Sequence, residues 1–181
     1  MGKLLIIKTG STFGSILKMY GDFQDFIINS AEITNKKVIV CDVYNNKKLP
    51  ELGDIDKIII TGSHSMVTDY ESWSVYAAKW LEKAAYTDAS ILGICYGHQL
   101  LTQVFGGTVD YHPNGQENGS VEVELTGHGI NDPLVGVLPH RFQAFSSHAQ
   151  TIVKLPKDAL VLAKNQFEPY HGVLFNVSSI I

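Results

Sequence analysis

Residues 91–101 read ILGICYGHQLL, and this stretch decides the fold. Ser90 to Ile94 is a short apolar run of strand character, while from Gly97 to Phe105 the apolar residues recur at helical spacing. Cys95 stands between the two, with Gly93 two residues before it and Gly97 two residues after. A thiol is thereby placed at the point where a strand turns directly into a helix.

Upstream of this elbow the same alternation repeats. Lys57 to Ile60 reads as a strand that stops at Thr61, Gly62 and Ser63, and the loop TGSHSMVTDYESW (61–73) leads into a helix lined on one face by Trp73, Ala77, Trp80, Leu81 and Ala84. Lys3 to Lys8 is a buried strand followed by the loop TGSTFG. Phe23, Phe26, Ile27 and Ser30 fall on helical spacing between Met19 and Ile33, and Val38 to Val43 returns as a β-branched strand. Strands alternating with helices predict an α/β fold with a doubly wound, mostly parallel sheet flanked by helices, whose ligands sit beyond the carboxyl ends of the strands. Gly62 and Cys95 both lie at such ends. From Thr108 the texture changes, and VEVELT (121–126) and RFQAFSSH (141–148) alternate as half-buried antiparallel strands do. The second half is therefore expected to carry an antiparallel β portion.

The bulk numbers narrow the function classes. The chain has 181 residues, 45% hydrophobic, with 14 basic against 18 acidic side chains. That length supports one domain over residues 1–181. No lysine or arginine run forms a phosphate-tracking stripe, so nucleic acid is not an expected partner. The start, MGKLLIIKTG, is neither a signal h-region with a cleavage site nor a membrane span, so no membrane partner and a cytoplasmic location are expected. Two cysteines are too few for a disulfide framework, and neither has a zinc-like neighbourhood, so no metal and no cofactor are expected. Cys41 sits inside a β-branched run and reads as core.

Cys95 reads differently. A nucleophile on a sharp strand-to-helix turn sits in strained backbone, and flanking glycines remove the Cβ clashes that would block the turn and the approach of a substrate. The helix N-terminus favours thiolate and stabilises a developing oxyanion. His98 follows closely, but the helix starting near Gly97 turns it away from the thiol. His64, His112, His128 and His140 read as loop or surface residues, and Glu117 and Gly119 as shaping a loop.

GICYGHQLL resembles the nucleophile motif of the class I glutamine amidotransferases, the glutaminase fold with flavodoxin-like topology. IIITGSHSMVTD (58–69) is similar to that family's oxyanion loop, FGGTVDYHPNGQENGSVEVELT (105–126) to the segment after the elbow helix, and FQAFSSHAQTIVKLPKDALVLAKN (142–165) to its SH-containing strand and turn. The similarity runs from about residue 4 to 175 and is closest in flavour to stand-alone, GMP synthetase-like members. It implies that Cys95 attacks the side-chain amide of L-glutamine, ammonia leaves, and water hydrolyses the thioester to glutamate. It further implies an oxyanion hole from the N–H groups of Gly62 and Tyr96, and substrate contacts from Gln99 and the loop of Ser147 to Ala149, including His148. The ammonia would serve a synthetase or other ammonia-accepting partner; a related γ-glutamyl hydrolase is the variant of this reading.

One part of the pattern is missing. The family draws its base and orienting carboxylate from a QFHPE-like motif, and the matching stretch here is VLFNVSS (173–179), with Asn176 at the base histidine and Ser178 at its acidic partner. An amide has no proton-accepting nitrogen comparable to imidazole. His171, the nearest histidine, belongs on the opposite face of a period-two strand and about 16 Å from position 176. The expectation is a domain lacking the family's C-terminal helices and impaired in turnover. The competing readings are a catalytically inactive glutamine-binding or partner-binding module, and a hydrolase using a different base.

Overall fold

The computed structural model describes residues 2–33 and 37–176, and it divides into two compact units, Met1–Val104 and Phe105–Ile181. Ser178, the position expected to lack the acidic partner, lies outside the described residues.

The first unit holds β1 (Lys3–Lys8), α1 (Gly14–Tyr20), α2 (Phe23–Ser30), β2 (Val38–Asp42), β3 (Ile55–Ile60), α3 (Ser72–Ala84), β4 (Ser90–Gly93) and α4 (Tyr96–Val104). The four strands form one all-parallel sheet in the order β2-β1-β3-β4. Parallel strands buried on both faces should be apolar throughout, and Leu5, Ile6, Ile7, Ile58 and Ile60 are almost fully buried. The strand order reverses between β1 and β3, which is where such sheets open a crevice at their carboxyl ends. α3 turns Trp73, Ala77, Leu81 and Ala84 into the core, as its spacing predicts. Trp80 is only half-buried, because its indole N–H reaches the Pro50 carbonyl at 2.9 Å. Cys41 is buried, its thiol 3.3 Å from the Lys48 carbonyl.

The region after β1 departs from the sequence expectation. Gly14–Tyr20 is a helix, and the segment expected between Met19 and Ile33 is α2 alone, separated from α1 by Gly21 at φ 88° and capped by Asp22. Asp22 and Asp25 form a reciprocal capping box. Lys8 lies between Asp22 at 2.9 Å and Asp42 at 3.1 Å. Burial alone would raise the Asp22 carboxyl, but the Thr12 N–H, the Ser11 hydroxyl, Lys8 and the Phe23 N–H together hold it at about 2.

The second unit holds β5 (Thr108–Tyr111), β6 (Glu117–Leu125), α5 (Gly127–Ile130), β7 (Arg141–His148), β8 (Gln150–Lys154), β9 (Leu160–Lys164) and β10 (Gly172–Leu174). One antiparallel sheet runs β10-β9-β6-β7, and β5 pairs with β8 separately. Val123, Leu125 and Ala163 form its buried centre, with Val121, Phe142 and Ala144 packed against it. Glu117 and Gly119 lie within β6 rather than in a loop, and a short corner at Ala149 joins β7 to β8 where a loop is expected. Among the described residues no helix is long and apolar enough to cross a membrane.

Candidate functional site

At the carboxyl ends of β1, β3 and β4 the first unit assembles three short segments. Cys95 adopts φ 52°, a left-handed conformation that a side-chain-bearing residue occupies only at a cost of about 1–3 kcal/mol. The sequence expects a strained turn here, and the backbone has one. The neighbouring glycines make it possible: a Cβ on Gly93 would sit 2.4 Å from the Gly97 carbonyl, and a Cβ on Gly97 would sit 2.7 Å from the Ile60 carbonyl. Strand, elbow and helix therefore pack at distances that only glycine permits.

Gly62 lies directly against this elbow. A Cβ placed on it would be 3.6 Å from the Cys95 Cβ. Its position is fixed from behind by two buried threonines: Thr9 donates its N–H to the Thr61 hydroxyl at 3.0 Å, and the Thr9 hydroxyl lies 2.8 Å from the Thr61 carbonyl and 3.1 Å from that of Gly62. Tyr96 opens α4 and is buried; its phenol donates to the Ser74 hydroxyl at 2.6 Å, and its ring packs 5.4 Å from Trp73. Burial pushes that phenol up to about 12, so it stays neutral and anchors the helix start. Gln99 is buried, its N–H bonded to the Cys95 carbonyl at 3.1 Å, and is not a solvated first-turn residue.

The electrostatics differ from the simplest expectation for a helix N-terminus. Cys95 is exposed, but protein packed around its sulfur desolvates the thiolate and pushes the thiol above its ordinary value; the Tyr96 N–H pulls the other way and does not prevail.

Ser147 and His148 lie in the second unit, at the end of β7. The Ser147 hydroxyl donates to the Asn118 side-chain oxygen at 2.9 Å. His148 is turned into a polar cluster that sequence reasoning does not anticipate: its Nε2 is 3.2 Å from Glu117 Oε2, its Nδ1 faces the Gln150 carbonyl at 3.1 Å, and His171 Nε2 is also 3.2 Å from Glu117 Oε2. Asn165 donates to Glu117 Oε1 at 2.7 Å. His112, expected as a loop or surface residue, follows β5 outside any strand or helix but is buried, with Nε2 2.9 Å from the Phe167 carbonyl and its ring stacked on Phe167 at 4.1 Å. No local signal marks this cluster, because apart from the contact of His148 with Gln150 its members lie far apart in the chain. Phe175, which fits the family motif, stacks on Phe105 at 5.0 Å, one residue before Asn176.

The model of the family described as "Glutamine amidotransferase class-I" matches residues 16–178. A GMP synthase [glutamine-hydrolyzing] from Aeropyrum pernix is 40% identical over 99 residues, covering 53% of this chain and 19% of that protein. A gamma-glutamyl-L-1-hydroxyisopropylamide hydrolase from a Pseudomonas species is 31% identical over 121 residues, covering 64% of this chain and 40% of that protein. The chain thus spans well under half the length of either relative. The crystal structure of a glutamine amidotransferase from Thermotoga maritima superposes with a TM-score of 0.78 at 19% identity, covering 97% of this chain and 72% of that one, and so shares its fold. With the family's parallel sheet, its glycine-flanked cysteine elbow and the family model in register over most of its length, the chain belongs to the class I glutamine amidotransferases.

Proposed function

We propose that Cys95 is the nucleophile of a site that cleaves the side-chain amide of glutamine. The observation that carries this reading is Cys95 in left-handed backbone at the start of α4 with Gly62 against it. In the proposed reaction the Cys95 sulfur bonds to the amide carbon, and the negative charge moves to the carbonyl oxygen. The N–H groups of Gly62 and Tyr96 receive that oxyanion, each worth about 3 kcal/mol of transition-state stabilisation. The carbon–nitrogen bond then breaks, ammonia leaves with the thiol's proton, and water hydrolyses the thioester to glutamate. Gln99, Ser147 and His148 are assigned to the substrate's amino-acid end. The ammonia passes to a synthetase-type partner in the cytoplasm, a role suggested by the names of the GMP synthase relatives.

Two features slow this chemistry in the chain as it stands. The Cys95 thiol is poor in thiolate at neutral pH, and Asn176 occupies the position of the family's base, so proton removal from the thiol and activation of the water both lack their usual acceptor. The same two features favour a second reading, a module that binds glutamine without turning it over. Ammonia release and calorimetry with glutamine separate the two: slow release abolished by Cys95→Ala supports the enzyme, and saturable binding with no release supports the module. On the enzymatic reading Asn176→His combined with Ser178→Glu raises release by about 100-fold or more, the usual worth of a positioned acid–base group. No gain would mean that the C-terminal segment does not carry the base.

A further inference from the structure

The second unit places three metal-ligating side chains together, one of which, His148, is also assigned above to the substrate's amino-acid end. Glu117 and His148 are directly paired across β6 and β7, at the end where the inward face of the sheet passes from Val121, Phe142 and Ala144 to polar residues. His171, just before β10, closes the group. We propose that Glu117, His148 and His171 bind one divalent transition-metal ion of the zinc class.

The geometry fits such an ion with small adjustment. One oxygen of Glu117 and one nitrogen of each histidine all lie within 4.8 Å of one another, and both Nε2 atoms are 3.2 Å from Glu117 Oε2. A tetrahedral ion holding nitrogen and oxygen ligands at about 2.0–2.1 Å spaces them roughly 3.4 Å apart. All three side chains are largely shielded, and two of them, His148 and Glu117, are held by a supporting contact on an atom other than the proposed ligand atom. His148 Nδ1 faces the Gln150 carbonyl, an acceptor that orients the ring, and Nε2 faces Glu117 Oε2, where an ion would take the place of the proton between them. Asn165 holds Glu117 Oε1, leaving Oε2. His171 supplies the independent sign of a missing partner: its Nε2 is buried, and among the described residues it makes no hydrogen bond, although it stands at ion-pair distance from the carboxylate. A polar atom in that state costs free energy that an ion would recover.

Two imidazoles and one carboxylate are ligand types that a metal holds in competition with protons. Two nitrogens and one oxygen favour zinc, cobalt or nickel over magnesium or calcium, which call for oxygen ligands. Bound there, the ion would tie β6, β7 and the segment leading into β10 together, with a fourth position left for water. This proposal does not depend on the Cys95 chemistry.

The test uses the full chain stripped with chelator and titrated with Zn²⁺ by calorimetry and with Co²⁺ by absorption. The expected result is one ion per chain, visible cobalt d–d bands without a thiolate charge-transfer band, and a raised unfolding temperature. His171→Gln weakens binding at least about 10-fold, and Asn165→Ala, which removes only a support, by about 10-fold. Cys95→Ala leaves binding unchanged. Absence of saturable Zn²⁺ binding overturns the proposal, as does binding undiminished in His171→Gln. A thiolate band that disappears with Cys95→Ala also overturns it, and this readout on the parent chain stands even if the His171 variant folds poorly.

Discussion

The elbow at Cys95 and the cluster around Glu117 are built on opposite plans. At the elbow an exposed thiol is held by strained backbone and by glycines that allow strand and helix to touch, and the polar partner of the sulfur is a main-chain N–H. At Glu117 and His148 the backbone is strand, and the position is specified by side chains: two histidines and an asparagine converge on one buried carboxylate. The first plan leaves a reactive atom open and spends stability to do so. The second satisfies a buried charge, and removing one member exposes the cost.

The sharpest way to break that contrast is to truncate each side. Glu117→Ala leaves Asn165 and His148 without their shared acceptor and should lower unfolding stability by about 1–3 kcal/mol. Cys95→Ala removes an exposed thiol and should change it by less than about 0.5 kcal/mol. Urea unfolding midpoints decide this, and equal effects would erase the distinction. Gly93→Ala probes the other side, because its new Cβ meets main-chain atoms of Gly97 that cannot step aside; a loss of about 3 kcal/mol is expected.

Acid sharpens the comparison within the first unit. Asp22 has a depressed folded-state value of about 2 against about 3.9 unfolded, so its stabilisation of about 2 kcal/mol is complete above pH 4 and is lost as pH falls from 4 to 2. Asp22→Asn should flatten that stretch of the stability–pH curve. Backbone strain at the elbow gives a smaller signal: Cys95→Gly should be more stable than Cys95→Ala by about 1 kcal/mol, since glycine accepts φ 52° freely. The smallest effect is kinetic. Because the Cys95 thiol is raised, its alkylation by iodoacetamide should climb with pH to a midpoint above that of an ordinary thiol, and any stability this shift contributes is present at low pH and lost as pH rises through the thiol range. A midpoint below the ordinary value would show the helix terminus outweighing desolvation.

The same contrast explains what the sequence disclosed. The elbow is legible because its parts are adjacent: strand, glycine, cysteine, glycine and helix follow one another within residues 90–105. The strands of the parallel sheet are legible as short apolar runs, most continuous in β1, where Leu5, Ile6 and Ile7 are all buried. Helix α1 is not, because no residue of Gly14–Tyr20 is buried and no apolar stripe marks it. The division between α1 and α2 rests on one glycine and one capping aspartate. The Glu117 cluster is hidden for a different reason. His171 meets Glu117 only through the strand order β10-β9-β6-β7, and the face of a strand on which a histidine lies says nothing of the carboxylate brought to it from another strand. His112 was concealed likewise by its contact with Phe167.

The central claim is that the sulfur at this elbow recognises and attacks a glutamine amide. Incubating the intact chain with a γ-electrophilic glutamine analogue and measuring the intact mass and the modified peptide tests it directly. The account predicts a single adduct on Cys95, suppressed by excess glutamine and absent in Cys95→Ala, with Cys41 untouched. A chain that takes up no adduct, or takes it up at Cys41 regardless of glutamine, would contradict it.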